Sequence, residues 1–149
     1  MPERAAHEKK SPSIIKILVL DNEKKWHDAV EKILSDYYSK KGIKAEFIHA
    51  YNPEDAIKSY EKFKPQLVIS DVCMGPEDHH RAWASTDKDG IDKFVKPIHE
   101  KYKNDNIIVM TSDNSFDVAV EALEAGARYH ILKQNLNESL IKSLEEMEK

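Results

Sequence analysis

Acidic, hydroxyl and amine side chains stand directly after four short apolar runs of this sequence. The runs are ILVL, LVIS, IIVM and HIL, and the residues that follow them are Asp21-Asn22-Glu23, Asp71, Thr111-Ser112 and Lys133. A lone aspartate after a strand is usually a turn residue or a helix cap, and a lone lysine is usually solvated. Four such positions in one chain, each at the end of an apolar run, indicate instead that these side chains act together.

The chemistry that this set supports is phosphoryl transfer. Clustered carboxylates repel one another and attract a hard divalent cation with oxygen ligands, Mg²⁺ above all. The cation neutralises an incoming phosphoryl group, one carboxylate attacks phosphorus, and a lysine and a hydroxyl hold the phosphoryl oxygens. The sequence therefore predicts a phosphoryl-transfer site, provided that the fold brings the ends of the four runs together.

Short β-like runs alternate with longer helical ones along the chain. Apolar runs rich in branched residues predict buried strands at residues 14–20, 45–50, 67–70, 107–111 and 129–132. Apolar residues at helical spacing predict helices at residues 26–37, 53–63, 91–102, 118–123 and 136–147. Pro97 lies inside the third helical pattern, so we expect a kink or a late helix start there.

Strands that alternate with helices predict an α/β fold with a parallel sheet. Parallel strands need crossover connections, and those crossovers cover both faces of the sheet with helices. In open sheets of this kind, sites form beyond the carboxyl ends of the strands. Because the polar residues named above lie at those ends, the predicted sheet brings them to one edge.

Composition argues against several classes of function. The chain has 149 residues with 34% charged residues, as expected for one soluble globular domain. Its formal net charge of -4 gives no whole-chain attraction to nucleic acid. No apolar stretch approaches the roughly 20 residues of a membrane helix, so no membrane contact is expected. With Cys73 as the only cysteine, no internal disulfide forms, and we expect a cytoplasmic protein.

Four motifs carry the strand-end residues: LVLDNE, LVISDVCM, IIVMTSDN and EAGARYHILK. Together they resemble the motifs of response-regulator receiver domains, the CheY-like superfamily, and the resemblance runs from Lys16 to about Met147. It implies a three-layer, doubly wound (βα)5 fold of the flavodoxin-like type, with strand order 2-1-3-4-5. Residues 1–13 are polar and lack apolar periodicity, so we expect a flexible tail before one receiver domain at residues 14–149.

The resemblance also implies a role for each residue of the set. Asp71 is the phospho-acceptor, supplied by a histidine kinase or a phosphotransfer protein, and Lys133 binds the phosphoryl group. The implied Mg²⁺ ligands are Asp21, Asn22, Asp71 and the backbone carbonyl of Cys73. Thr111 and His130 take the switch positions. The family signals rather than catalyses reactions of other substrates, so we expect a single-domain response regulator that acts through a downstream effector protein.

The acidic pair departs from the family pattern. The second position is Asn22, where the family places an Asp that binds the metal directly. Asparagine keeps a carbonyl oxygen but lacks the negative charge, so Mg²⁺ is expected to bind less tightly. Glu23 is either a compensating ligand or a first-turn acid favoured by the helix dipole.

Three further departures lie near the acceptor and the lysine. Gly90 comes nineteen residues after Asp71, which leaves an insert at Gly75–Asp89. We interpret the insert either as a lid or docking loop, or as a metal site that uses His79 and His80. His130 replaces an aromatic switch residue, and it is read as a pH-sensitive switch or as a spacer. Gln134 stands where the family normally has a proline after the lysine, with a peptide bond that is often cis. Without proline a cis bond is costly, so we expect the bond between Lys133 and Gln134 to be trans. Cys73 is read as a buried filler rather than a redox group.

Two other functions stay open at this point. An atypical receiver that binds partners without phosphorylation is favoured by Asn22 and by the insert. A haloacid-dehalogenase-type phosphohydrolase also has an aspartate after its first strand, but it requires a second Asp where this chain has Glu23. It also requires a later acidic pair where this chain has Gln134-Asn135.

Overall fold

The computed structural model describes residues 13–72, 89–112 and 116–149. Five strands are present: β1 Ser13–Leu20, β2 Ile43–Ala50, β3 Leu67–Asp71, β4 Ile107–Thr111 and β5 Tyr129–Leu132. The α-helices are α1 Lys24–Ser39, α2 Pro53–Phe63, α3 Lys96–Tyr102, α4 Phe116–Ala125 and α5 Leu136–Met147. Strands and helices alternate along the chain, as the sequence pattern predicts.

The five strands form one parallel sheet in the order β2-β1-β3-β4-β5, which confirms the predicted fold class and strand order. Side chains alternate between the two faces of each strand, so the sheet divides the core into two layers. One layer packs against α2, α3 and α4, and it includes Leu18, Val68 and Val109. The other packs against α1 and α5, and it includes Ile17, Ile69 and Met110.

The predicted bounds differ most at α3, whose predicted first residue, Ile91, begins a π-helical turn instead, while α1 and α4 extend two residues beyond their predicted bounds at both ends. β1 and β2 begin one and two residues earlier than predicted, where Ser13 pairs with Ile43 at the open end of the ladder. Ser13 therefore belongs to β1 rather than to the tail, and residues 1–12 lie outside the described residues. The bounds of β4, β5, α2 and α5 agree with the sequence pattern.

A π-helical turn at Ile91–Val95 precedes α3 and resolves the position of Pro97. The backbone N–H of Lys96 donates to the carbonyl of Ile91, five residues earlier. Asp89 and Gly90 are already helical, and Val95, just before Lys96, has helical φ and ψ, so Pro97 lies in a continuous helical segment. The expected late helix start is therefore absent: the helical segment changes from π-helical to α-helical at Lys96, one residue before Pro97.

Candidate functional site

Three charged side chains meet at the carboxyl ends of β1, β3 and β5. The ammonium Nζ of Lys133 lies 2.8 Å from Oδ2 of Asp21 and 3.3 Å from Oδ1 of Asp71. All three residues are buried: Asp21 is 0% exposed, Asp71 4% and Lys133 7%. One buried cation is therefore shared by two buried carboxylates, from strands that are far apart in sequence.

Backbone donors fix both carboxylates. The N–H of Glu23 donates to Oδ1 of Asp21 at 2.8 Å, so the turn after β1 closes on the side chain. The N–H of Val72 donates to Oδ1 of Asp71, also at 2.8 Å. The N–H of Gly90 donates to the carbonyl of Val72 at 2.8 Å, so the chain returns to the end of β3 after the insert. Each carboxylate is thereby held before any ligand binds.

Burial raises the pKa of both carboxyl groups. The pKa of Asp71 rises to about 7, mainly through desolvation and then through repulsion by Asp21, while Lys133 acts in the opposite direction. Desolvation also raises the pKa of Asp21, again against the attraction of Lys133. The lysine compensates only part of the negative charge of the two carboxylates, so the site favours a further cation.

Thr111 and His130 lie on the same face of the sheet. Thr111 ends β4 and is 3% exposed, while His130 is partly buried in β5 opposite Val109. Because side chains alternate along a strand, Thr111 shares the face of Val109, two residues earlier. The predicted switch pair therefore lies on the side of the sheet that α2, α3 and α4 cover. By the same alternation, Asp21, Asp71 and Lys133 belong to the side that α1 and α5 cover.

A pair of histidines anchors the turn that carries Asp21. Nε2 of the buried His27 donates to the backbone carbonyl of Asp21 at 2.8 Å, and its Nδ1 lies 2.7 Å from Nδ1 of His49. Nε2 of His49 lies 3.1 Å from Oε1 of Glu31. These contacts link the turn at Asp21 to Glu31 through two imidazole rings. Burial lowers the pKa of His27, which favours its neutral form.

Trp26 covers Lys133 from the helix side. The ring centroid of Trp26 lies 4.9 Å from Nζ of Lys133, within the range of a cation–π contact. Nε1 of Trp26 donates to Oε1 of Glu23 at 3.1 Å. Glu23 stands at the N-cap of α1 rather than in its first turn, so the expectation of a first-turn acid was wrong.

The contact between the two histidines and the position of Trp26 over Lys133 could not be predicted from the sequence. Trp26 satisfies the apolar spacing of α1, and His27 touches His49 only because α1 packs against β2. The contact of Trp26 with Lys133 depends on the same tertiary packing. No short-range pattern in the sequence signals these contacts.

Several predicted features lie outside the described residues. Cys73 and residues 75–88 of the insert, with His79 and His80, are among them. Asn22 is partly buried in the turn between Asp21 and α1. Within the described ranges, no group of three or more His, Cys, Asp or Glu side chains is placed to hold a metal ion. No cis peptide occurs in those ranges either, so the bond between Lys133 and Gln134 is trans, as expected.

Comparisons with known proteins define the class of the chain. The family model for the response regulator receiver domain matches residues 17–145 of this sequence. The chain therefore belongs to this family of two-component signalling modules. An uncharacterised transcriptional regulatory protein of Bacillus subtilis, YhcZ, is 30% identical over 129 residues, which cover 87% of this chain and 53% of YhcZ. The chain thus spans about half the length of this curated relative.

Solved structures share the fold at lower identity. The chemotaxis protein CheY4 of Vibrio cholerae superposes with a TM-score of 0.68 and 23% identity, over 90% of this chain and 98% of CheY4. The isolated receiver domain of RcsB from Salmonella enterica serovar Typhimurium, determined in the presence of the phosphomimetic BeF3⁻, gives a TM-score of 0.68 at 19% identity. That match covers 91% of this chain and 89% of the RcsB domain. In the part of the chain that the structure describes, no helix has the length and apolarity to span a bilayer.

Proposed function

We propose that this receiver domain accepts a phosphoryl group on Asp71 and signals through a change of conformation. The observation that carries the proposal is the shared contact of Lys133 with Asp21 and Asp71 at the carboxyl edge of the sheet. A buried lysine that forms ion pairs with two carboxylates places a positive charge beside an acceptor oxygen. This is the arrangement that attack on phosphorus requires.

The reaction uses the ionised form of Asp71. One carboxylate oxygen attacks the phosphorus of a phosphohistidine on the donor protein, the O–P bond forms, and the P–N bond to the donor imidazole breaks. Lys133 then neutralises charge on the phosphoryl oxygens, and Thr111 supplies a hydroxyl at the end of the neighbouring strand. The second switch residue is His130, on the same face as Thr111. Their movement would shift the population of the domain towards its signalling state.

The oxygen donors at this edge suit Mg²⁺. Asp21 and Asp71 supply carboxylates whose negative charge Lys133 only partly offsets, and Asn22 supplies an amide oxygen in the same turn. We propose that these three residues and the carbonyl of Cys73 hold the ion, which would neutralise the incoming phosphoryl group. Glu23 is left out of this set because its carboxylate accepts the hydrogen bond of Trp26.

Labelling by acetyl phosphate tests the acceptor assignment. In the presence of Mg²⁺, the wild-type chain should gain one phosphoryl group by intact mass, and Asp71→Asn should gain none, because the amide cannot form an acyl phosphate. Asp92→Asn is the matched control, since Asp92 is exposed in the π-helical turn and should be labelled like the wild type. Normal labelling of Asp71→Asn would contradict the assignment.

Restoring the missing acid should tighten the metal site. Asn22→Asp adds a third carboxylate beside two that already lack full compensation, so the dissociation constant for Mg²⁺ should fall by roughly tenfold. Titration calorimetry measures it, with Gln66→Glu as a control that makes the same amide-to-acid change in the exposed segment before β3. An unchanged affinity in Asn22→Asp would place the metal away from this turn.

Asn22 also supports a second function, an interaction module that works without phosphorylation. With Asn22 where the family has an acid, the site lacks one charge of the family pattern, and metal-assisted phosphoryl transfer would slow. A partner affinity that Asp71→Asn leaves unchanged would favour this function. For the phosphorylated switch, the proposed phosphoryl donor is a histidine kinase or a phosphotransfer protein. The proposed receiver of the signal is an effector protein, and an effector bound to DNA, as in transcriptional regulation, is one such partner.

A further inference from the structure

We propose that Trp26 is a positioning residue for Lys133, holding its ammonium group against the two carboxylates in the resting domain. The inference about the resting side chain stands on the contacts alone, whereas its consequence for the reaction rests on the proposed phospho-acceptor role of Asp71. Trp26 lies in the first turn of α1, so it reaches Lys133 from a helix and not from a strand end.

Nζ of Lys133 has three close neighbours, two carboxylates and an aromatic ring. Nζ contacts Asp21 at 2.8 Å, Asp71 at 3.3 Å and the face of the Trp26 ring at 4.9 Å from the centroid. An ammonium group has three donors and no acceptor. The indole face therefore borders the buried ammonium on a side that neither carboxylate occupies, and it limits the positions that the lysine side chain can take.

The ring itself is fixed from two sides. The hydrogen bond from Nε1 of Trp26 to Glu23 orients the plane of the indole, since Glu23 is the cap residue of α1. The ring also packs against the apolar layer between the sheet and α1 and α5. A second cation, Nζ of Lys25, lies 5.3 Å from the same ring, but Lys25 is exposed and contacts neither carboxylate.

Loss of the ring should loosen the lysine. Lys133 has a flexible stem, and without the indole face its ammonium would be drawn towards water and away from Asp71. Phosphoryl transfer requires the positive charge to be in place as charge develops on the phosphoryl oxygens. A misplaced lysine therefore lowers the labelling rate of Asp71 without removing the acceptor.

Four variants test this role. Trp26→Leu and Trp26→Met remove the aromatic face, Trp26→Phe keeps one, and Lys25→Met is the control that removes only the exposed cation. In the unphosphorylated protein, an NMR signal of the Lys133 ε-methylene should be shifted upfield by the ring current. The shift should vanish in the Leu and Met variants, remain in part in the Phe variant and stay unchanged in Lys25→Met. Urea unfolding selects the folded variants for these measurements.

The labelling rate with acetyl phosphate gives the second readout. It should fall about tenfold in the Leu or Met variant and recover most of that loss in Trp26→Phe. Wild-type rates in folded Leu and Met variants, or an unshifted Lys133 methylene in the wild type, would overturn the inference. If the wild type itself is not labelled, the proposed function fails, and the methylene shift alone decides whether Trp26 positions Lys133.

Discussion

Asp71→Asn is expected to raise the free energy of unfolding at pH 8, in the absence of Mg²⁺, by about 2 kcal/mol. Burial and Asp21 raise the pKa of Asp71 to about 7, so above neutral pH the folded domain holds a poorly compensated buried charge. Asparagine is neutral and keeps an oxygen for the N–H of Val72. The gain is smaller than the full shift implies, because asparagine buries an amide NH2 group where the carboxylate has Oδ2.

The sign of the pH dependence follows from the raised pKa. The folded state binds the proton of Asp71 more tightly than the unfolded chain does, because the pKa of an aspartate in the unfolded chain has its ordinary value of 3.8. Stability from this group is therefore present at low pH and is lost as pH rises from about 4 to 7. The advantage of Asp71→Asn should shrink at pH 5, measured by urea unfolding in EDTA.

Asp36→Asn provides the control for this measurement. Asp36 pairs with Lys40 on the exposed surface of α1, where an ion pair contributes little. Its replacement should change stability only slightly at either pH. An Asp71→Asn variant that is no more stable than the wild type at pH 8 would show that Asp71 is not a strained, buried carboxylate.

Gly90→Ala is expected to cost at least about 3 kcal/mol of stability. A Cβ at Gly90 would overlap the backbone carbonyl oxygen of Asp71 and would lie 3.0 Å from that of Val72. Both contacts are with backbone, so no side chain can rotate away. The φ of Gly90 is -62°, so the requirement for glycine comes from close approach and not from a left-handed conformation.

Gly42→Ala separates the two reasons for glycine. Gly42 has a φ of +74°, but a Cβ there would meet no atom within 4 Å. The left-handed conformation alone costs an alanine about 1 kcal/mol. Urea unfolding of both variants should therefore show a much larger loss for Gly90→Ala. Equal losses would mean that the chain after the insert does not close on the end of β3.

The parts of the fold that the sequence predicts well are bounded by sharp local signals. β4 ends at Thr111, and Lys133 directly follows β5. Asn52 caps the start of α2, where its side chain accepts from the N–H of Asp55. The ends of α2 and α3 carry no such signal. Lys64 and Lys103 adopt left-handed φ values of 49° and 57° there, a role that glycine usually fills.

For the site, the sequence predicts which residues meet but not how they are held. The ends of parallel strands converge whatever their spacing in sequence, so Asp21, Asp71 and Lys133 follow from topology alone. The contact of Trp26 with Lys133 depends on where α1 lies over the sheet. The link from Asp21 through His27 to His49 depends on the same packing. Apolar periodicity predicts which face of a helix is buried, but it does not predict which side chains that face contacts.

The most direct test of the phosphorylated switch is Mg²⁺-dependent binding of beryllofluoride, an acyl-phosphate mimic, followed by backbone amide NMR. We predict shifts around Asp71, Thr111 and Lys133 in the wild type and none in Asp71→Asn. That pattern would establish a working phospho-acceptor despite Asn22. No shifts in the wild type at millimolar Mg²⁺ would contradict the proposal and leave the phosphorylation-independent interaction module as the function that fits this chain.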